Sequence, residues 1–168
     1  MATVTNLATG DYIDETWVDS VTTGLNTGTF SGTYTPTIQG MAVGTGGSAN
    51  NTAYYSYVGG ILVVQGIIQF GTTGVTFPTA PNIFVPSGFT ASQPIAPNYA
   101  TIGHAAYVCS GTSYHGYMTM VSQTIARPML YTASGTYPGS ANLGVAVPVT
   151  WVSGDYMRYS FTLVGTMT

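Results

Sequence analysis

The sequence predicts an all-β protein: a β-sandwich or jelly-roll-like domain preceded by a short N-terminal segment with one helix. Three observations carry this. From Phe30 onward apolar residues recur with period two, and the Thr, Tyr, Val and Ile that suit a pleated, half-buried surface are enriched. Turn residues return roughly every 8 to 15 positions, as between short strands. The 168 residues are 45% hydrophobic and 12% aromatic, enough for one core of ordinary domain size and too apolar for a disordered chain. Residues 1–29 read as an N-terminal attachment segment and 30–168 as the β domain.

In the first segment, DETWVDSVTTGLN places Trp17, Val18, Val21 and Leu25 at i, i+1, i+4 and i+8, one face of a helix. Asp14 is the candidate N-cap, and Asp14, Glu15 and Asp19 load the end where the helix dipole favours negative charge. Gly24 or Gly28 would stop it. So short a helix is marginal alone and persists only where its Trp17 face docks, either on its own domain or on a partner.

The expected strands are Gly32 to Thr37, Thr52 to Val58, Gly60 to Phe70, Asn82 to Val85, Tyr99 to Cys109, Ser113 to Val121, Arg127 to Ala133, Val147 to Trp151 and Tyr156 to Met167. Pro78, Pro81, Pro86, Pro94 and Pro97 make residues 78–98 mostly loop, long enough to serve as an interaction surface. The last strand turns Met157, Tyr159, Phe161, Leu163 and Met167 one way and Arg158, Ser160, Thr162 and Thr166 the other. Strand 60–70 has an apolar face of Leu62, Val64, Ile68 and Phe70. Its opposite face, with Ile61, Val63 and Ile67 beside Gln65 and Gln69, is half apolar too. Both faces want cover, and Ile61, Val63 and Ile67 are the expected subunit interface.

Only two basic and five acidic side chains occur, 4% of the chain against roughly 25% in an average globular protein. There is no Lys, and Arg127 and Arg158 are the only Arg, which argues against nucleic acid as a partner and against a polybasic membrane anchor. The most apolar stretch, Ile61 to Phe70, is broken by Gln65, Gly66 and Gln69 and is far short of a span, so no membrane insertion is expected. The first residues lack a basic and an apolar region, so no secretory signal is read there. One cysteine, Cys109, permits no internal disulfide.

Catalytic chemistry finds little to work with. Ser113, His115 and Asp155 are the members of a paper triad, but no nucleophile elbow accompanies them, and Asp155 in WVSGDY is ordinary turn chemistry. A carboxylate pair spanning a cleft cannot be assembled from acids clustered in Asp11, Asp14, Glu15 and Asp19. His104 and His115 lack metal-ligand spacing and are expected to stand well out of register on neighbouring strands. Cys109 has no basic group near it in sequence and reads as a small core residue. The expectation is no enzyme, no cofactor and no metal. The thirteen tyrosines are more informative, because a rigid ring with a hydroxyl suits sugars and interfaces as well as sheet surfaces. Tyr114, His115 and Tyr117 are the candidate receptor contacts.

Several stretches together resemble a known kind of protein. GTYTPTIQG (32–40), YYSYVGGILVVQGIIQFGTTG (54–74), NIFVPSG (82–88) and PVTWVSGDYMRYSFTL (148–163) look like the small all-β modules of tailed-bacteriophage virion proteins, the tail-fibre and minor structural proteins. ATGDYIDETWVDSVTTGLNT (8–27) is similar to the short leader that precedes such modules. The resemblance implies a β-sandwich, often trimeric, fixed to a virion by its N-terminal segment and displaying its C-terminal domain outward, with no catalytic residues.

The resulting expectation is a surface-exposed, homotrimeric virion module made in the host cytoplasm, docked on other virion proteins of tail or capsid through Trp17, Val18, Val21 and Leu25. It would act in receptor binding, most simply to a host-surface glycan. The alternative is a capsid decoration protein held by the same leader and the apolar second face. A small carbohydrate-active enzyme is the reading from a different class.

Overall fold

The computed structural model describes residues 29–47, 52–92, 100–134 and 137–168. Within these residues the chain is all-β, as expected, with thirteen strands: β1 (Thr29–Tyr34), β2 (Ile38–Gln39), β3 (Ala42–Val43), β4 (Ala53–Val58), β5 (Ile61–Gln69), β6 (Val75–Thr76), β7 (Asn82–Phe84), β8 (Phe89–Ala91), β9 (Thr101–Cys109), β10 (Thr112–Ser122), β11 (Ile125–Ser134), β12 (Tyr137–Asn142) and β13 (Tyr156–Met167). The helix expected around Trp17 and Leu25 lies outside the described residues.

Eleven strands form one antiparallel sheet with the path β1-β4-β5-β13-β9-β10-β11-β7-β2; β12 joins β11, β8 joins β13, and β3 and β6 pair separately. The two ends of this path, β1 and β2, are joined by only residues 35–37. At an extended reach of about 3.5 Å per residue the ends lie within roughly 14 Å of each other. The sheet is therefore curled upon itself. The two layers expected of a sandwich are made by this single sheet, with one core between them.

Period-two patterning selects the inner face. Leu62, Val64, Ile68, Tyr107, Met118, Met157, Phe161 and Leu163 are buried together, while alternate residues on the same strands face out. The expected core faces of β5 and β13 hold. Burial of such side chains is worth about 1.5–3 kcal/mol each, which is what holds a sheet this poor in ion pairs. Two hairpins are closed by two-residue turns with positive φ at both positions: Gly59 (57°) and Gly60 (87°) between β4 and β5, and Ser110 (50°) and Gly111 (78°) between β9 and β10. This turn type matches the strand twist and fixes both registers.

Two expectations on strands need correction. Val147 to Trp151 is not a strand. Gly144 and Val147 bridge back on each other, Pro148 follows a cis bond, and the Trp151 indole N–H donates to the Gly144 carbonyl at 2.8 Å, closing a compact loop. That loop delivers Trp151 into the core, stacked on Phe70 (ring centroids 4.1 Å) and edge-on to Tyr107 (6.4 Å). Conversely β2, β3, β6, β8 and β12 were not expected. Four of them are two or three residues long, too short to show a period, and β12 carries Pro138 and Gly139. β7 matches the strand expected at Asn82 to Val85, β8 lies in the stretch 78–98 expected to be mostly loop, and residues 93–98 of that stretch are outside the described residues.

Candidate functional site

The register of the central strands assembles a site on the outward face. One cross-strand row runs Tyr54 on β4, Gln65 on β5, Ser160 on β13, His104 on β9 and Tyr117 on β10. The next outward row runs Ile67, Arg158, Ala106 and His115. Ser160 and Ala106, the smallest of these side chains, are diagonal neighbours on β13 and β9 at the centre, so the larger side chains around them enclose a depression. It is an open trough of about 630 Å³ lined by Tyr54, Gln65, Ile67, His104, Ala106, His115, Tyr131, Arg158 and Ser160 among others. Its size is that of a small-molecule site.

Its chemistry is specific. Tyr54 (65% exposed) and Tyr131 (54% exposed) offer bare aromatic surface, and Tyr131 is buttressed by Tyr117 with ring centroids 5.1 Å apart. Arg158 projects on the same face, its guanidinium carbon 5.0 Å from the Tyr156 ring centroid, a cation–π contact that orients it without consuming its hydrogen-bond donors. His104 and His115 supply two imidazoles. This corrects the expectation that they stand well out of register: with the turn at Ser110 and Gly111, His104 faces Tyr117 and His115 faces Ala106. The two histidines are thus diagonal neighbours on one face, a spacing of about 7–8 Å.

The expected receptor contacts separate. His115 and Tyr117 face outward, but Tyr114 has the opposite parity, sits opposite the buried Tyr107 and packs against the core. Of the expected subunit contacts, Ile61 and Val63 are exposed, whereas Ile67 is half-buried and belongs to the trough. Ile61 instead shares its row with Val58 and Val164, so the outward apolar patch is Val58, Ile61, Val63 and Val164. Trp17, Val18, Val21 and Leu25 lie outside the described residues.

The paper triad is not assembled. Asp155 is 4% exposed, and its two carboxylate oxygens accept the backbone N–H groups of Ser110 and Val152, each at 2.8 Å. It ties the β9–β10 turn to the turn before β13. Cys109 is buried, and burial together with the charge of Asp155 pushes its thiol up to about 12, so it is inert at neutral pH. Among the described residues no three His, Cys, Asp or Glu side chains come together to hold a metal ion, and no helix is long and apolar enough to cross a membrane.

Sequence reasoning missed Tyr54, Tyr131 and Arg158 as members of a common site. Each has a visible outward parity within its own strand. What joins them is that β4, β5, β13, β9, β10 and β11 are sheet neighbours in that order, which no local pattern encodes. No protein-family model, curated protein or solved structure matches this chain.

Proposed function

We propose that this protein is a non-enzymatic, surface-exposed module of a tailed-bacteriophage virion that binds a host-surface glycan through the trough on the outward face of its sheet. The trough is the observation that carries the reading. Exposed Tyr54 and Tyr131 offer faces for sugar rings, while Gln65, Ser160 and the histidines supply hydrogen-bonding groups around a floor of small side chains. The resemblance of residues 8–163 to virion modules supports the setting, with the N-terminal segment as the attachment and Trp17, Val18, Val21 and Leu25 as its anchors. The near absence of charge suits a protein whose surface is covered by assembly.

The module is proposed to be a homotrimer, with Val58, Ile61, Val63 and Val164 at the subunit contact, since exposed aliphatic side chains in one patch mark interaction sites. The same patch favours a second reading, a capsid decoration protein seated on neighbouring capsid subunits. Locating labelled protein in particle images separates the two: a few copies at the tail support receptor binding, and hundreds around the head support decoration. Light scattering of the purified chain at micromolar concentration tests the oligomer, and a mass of 17.5 kDa would exclude the trimer.

A further inference from the structure

We propose that the trough takes a carboxylate-bearing sugar, a uronate or a sialic-type acid, with Arg158 as the group that holds the carboxylate. This rests on the glycan-binding reading above and narrows it from sugars in general to acidic ones.

Charge singles out Arg158. The described residues contain three charged side chains, Arg127, Asp155 and Arg158. Arg127 is engaged, its Nε donating to Asn82 Oδ1 at 3.0 Å. Asp155 is buried, with both oxygens taken by backbone N–H groups. Arg158 is left as the cation of the trough, and its row neighbours Ile67 and Ala106 and the adjoining Gln65 and Ser160 carry no acid. Among the described residues Arg158 is therefore the one formal charge lining the trough, and it is positive.

A neutral sugar needs no such group, since amide and hydroxyl side chains satisfy its hydroxyls. A guanidinium held over a tyrosine ring presents a planar fork of N–H donors, which matches the two oxygens of a carboxylate. His104 and His115 border the same floor and add imidazole donors or acceptors for the ring hydroxyls. Tyr54 and Tyr131 then receive the apolar faces of neighbouring rings. The composition sharpens the point: of the two arginines in the whole chain, one is spent in this trough.

The test is titration of the purified full-length protein with oligogalacturonate, oligoalginate and oligosialic acid, each beside its methyl ester, which keeps the ring and hydroxyls and removes the charge. At least one acid form is expected to bind at least about tenfold more tightly than its ester, the size of a charge-assisted hydrogen bond to Arg, and to weaken as salt rises. Arg158→Gln should erase the difference while keeping the wild-type melting temperature, because Arg158 is exposed; Arg158→Lys should restore part of it. The proposal is overturned if esters bind as well as acids, if Arg158→Gln binds the acids undiminished, or if none of the three acids binds. Binding of a neutral oligosaccharide in that last case would leave the glycan reading standing and remove the acidic one.

Discussion

The phenol of Tyr34 donates a hydrogen bond of 3.3 Å to the backbone carbonyl of Phe84. Tyr34 ends β1, at one end of the sheet path, and Phe84 ends β7, next to the other end. The bond therefore spans the seam where the curled sheet meets itself, a place with no ladder between β1 and β2. The Phe84 N–H also donates to the Thr37 carbonyl at 3.0 Å, so the short link between the ends is held on the same residue. Tyr34→Phe should cost about 1 kcal/mol, the net worth of one such bond, and lower the melting temperature by about 2–4 °C.

Tyr159 should respond in the opposite direction. Its hydroxyl is buried without a hydrogen-bond partner, so it bears a desolvation cost with no return. Tyr159→Phe removes only that oxygen and is expected to raise stability by up to about 1 kcal/mol. Chemical denaturation of both variants checks the pair, and the contrast in sign is the informative result.

Gly66 is required by that same ring. A Cβ on Gly66 would collide with the ring and hydroxyl of Tyr159, its cross-strand partner on β13. Gly66→Ala should cost about 1–3 kcal/mol as overpacking, although alanine has the better backbone entropy. Combining it with Tyr159→Leu should recover part of that loss, since the two changes share one space.

Removing the buried carboxylate should be more damaging. Asp155→Ala leaves the N–H groups of Ser110 and Val152 without their acceptors, and hydrogen bonds to a charged group are worth about 1.5–3 kcal/mol each. Unfolding at ambient temperature or a much lowered melting temperature is expected. Ser110→Gly is the control: it keeps the backbone donor and relieves a positive φ, so it should be neutral or stabilising.

The fold should weaken in alkali. Burial raises the phenols of Tyr34, Tyr107 and Tyr159 above their ordinary value of 10.0 and the thiol of Cys109 above 9.0. Each group keeps its proton in the folded chain at a pH where the unfolded chain has lost it. The folded state then binds more protons, and stability falls as pH rises above these ordinary values, having been fully present below them. Urea midpoints should be flat through neutral pH and decline above about 9 to 10. In the same range Cys109 should react with an alkylating reagent only as fast as the protein opens.

Much of the fold was legible in the chain because its signals are local. Alternation along β5 and β13 chose the inner residues correctly, and Gly59-Gly60 and Ser110-Gly111 sat where the hairpins turn. Parity alone would also have parted Tyr114 from His115 and Tyr117. The two- and three-residue strands were illegible because a period needs several residues to appear. Val164 was overlooked on the outward face of β13, and it becomes part of a patch only when β4 and β5 are laid beside it.

The all-β class, the inner and outer face of each long strand and the poverty of charge follow from residue order and type, since period-two burial and glycine turns act over a few positions. The curl of the sheet, the seam between Tyr34 and Phe84, and the gathering of Tyr54, Arg158, His104 and Tyr131 around one trough depend on strand order. Those contacts join residues tens of positions apart, 50 in the case of the seam. Their cost is loop closure and their return is core burial, both properties of the whole chain in its folded form.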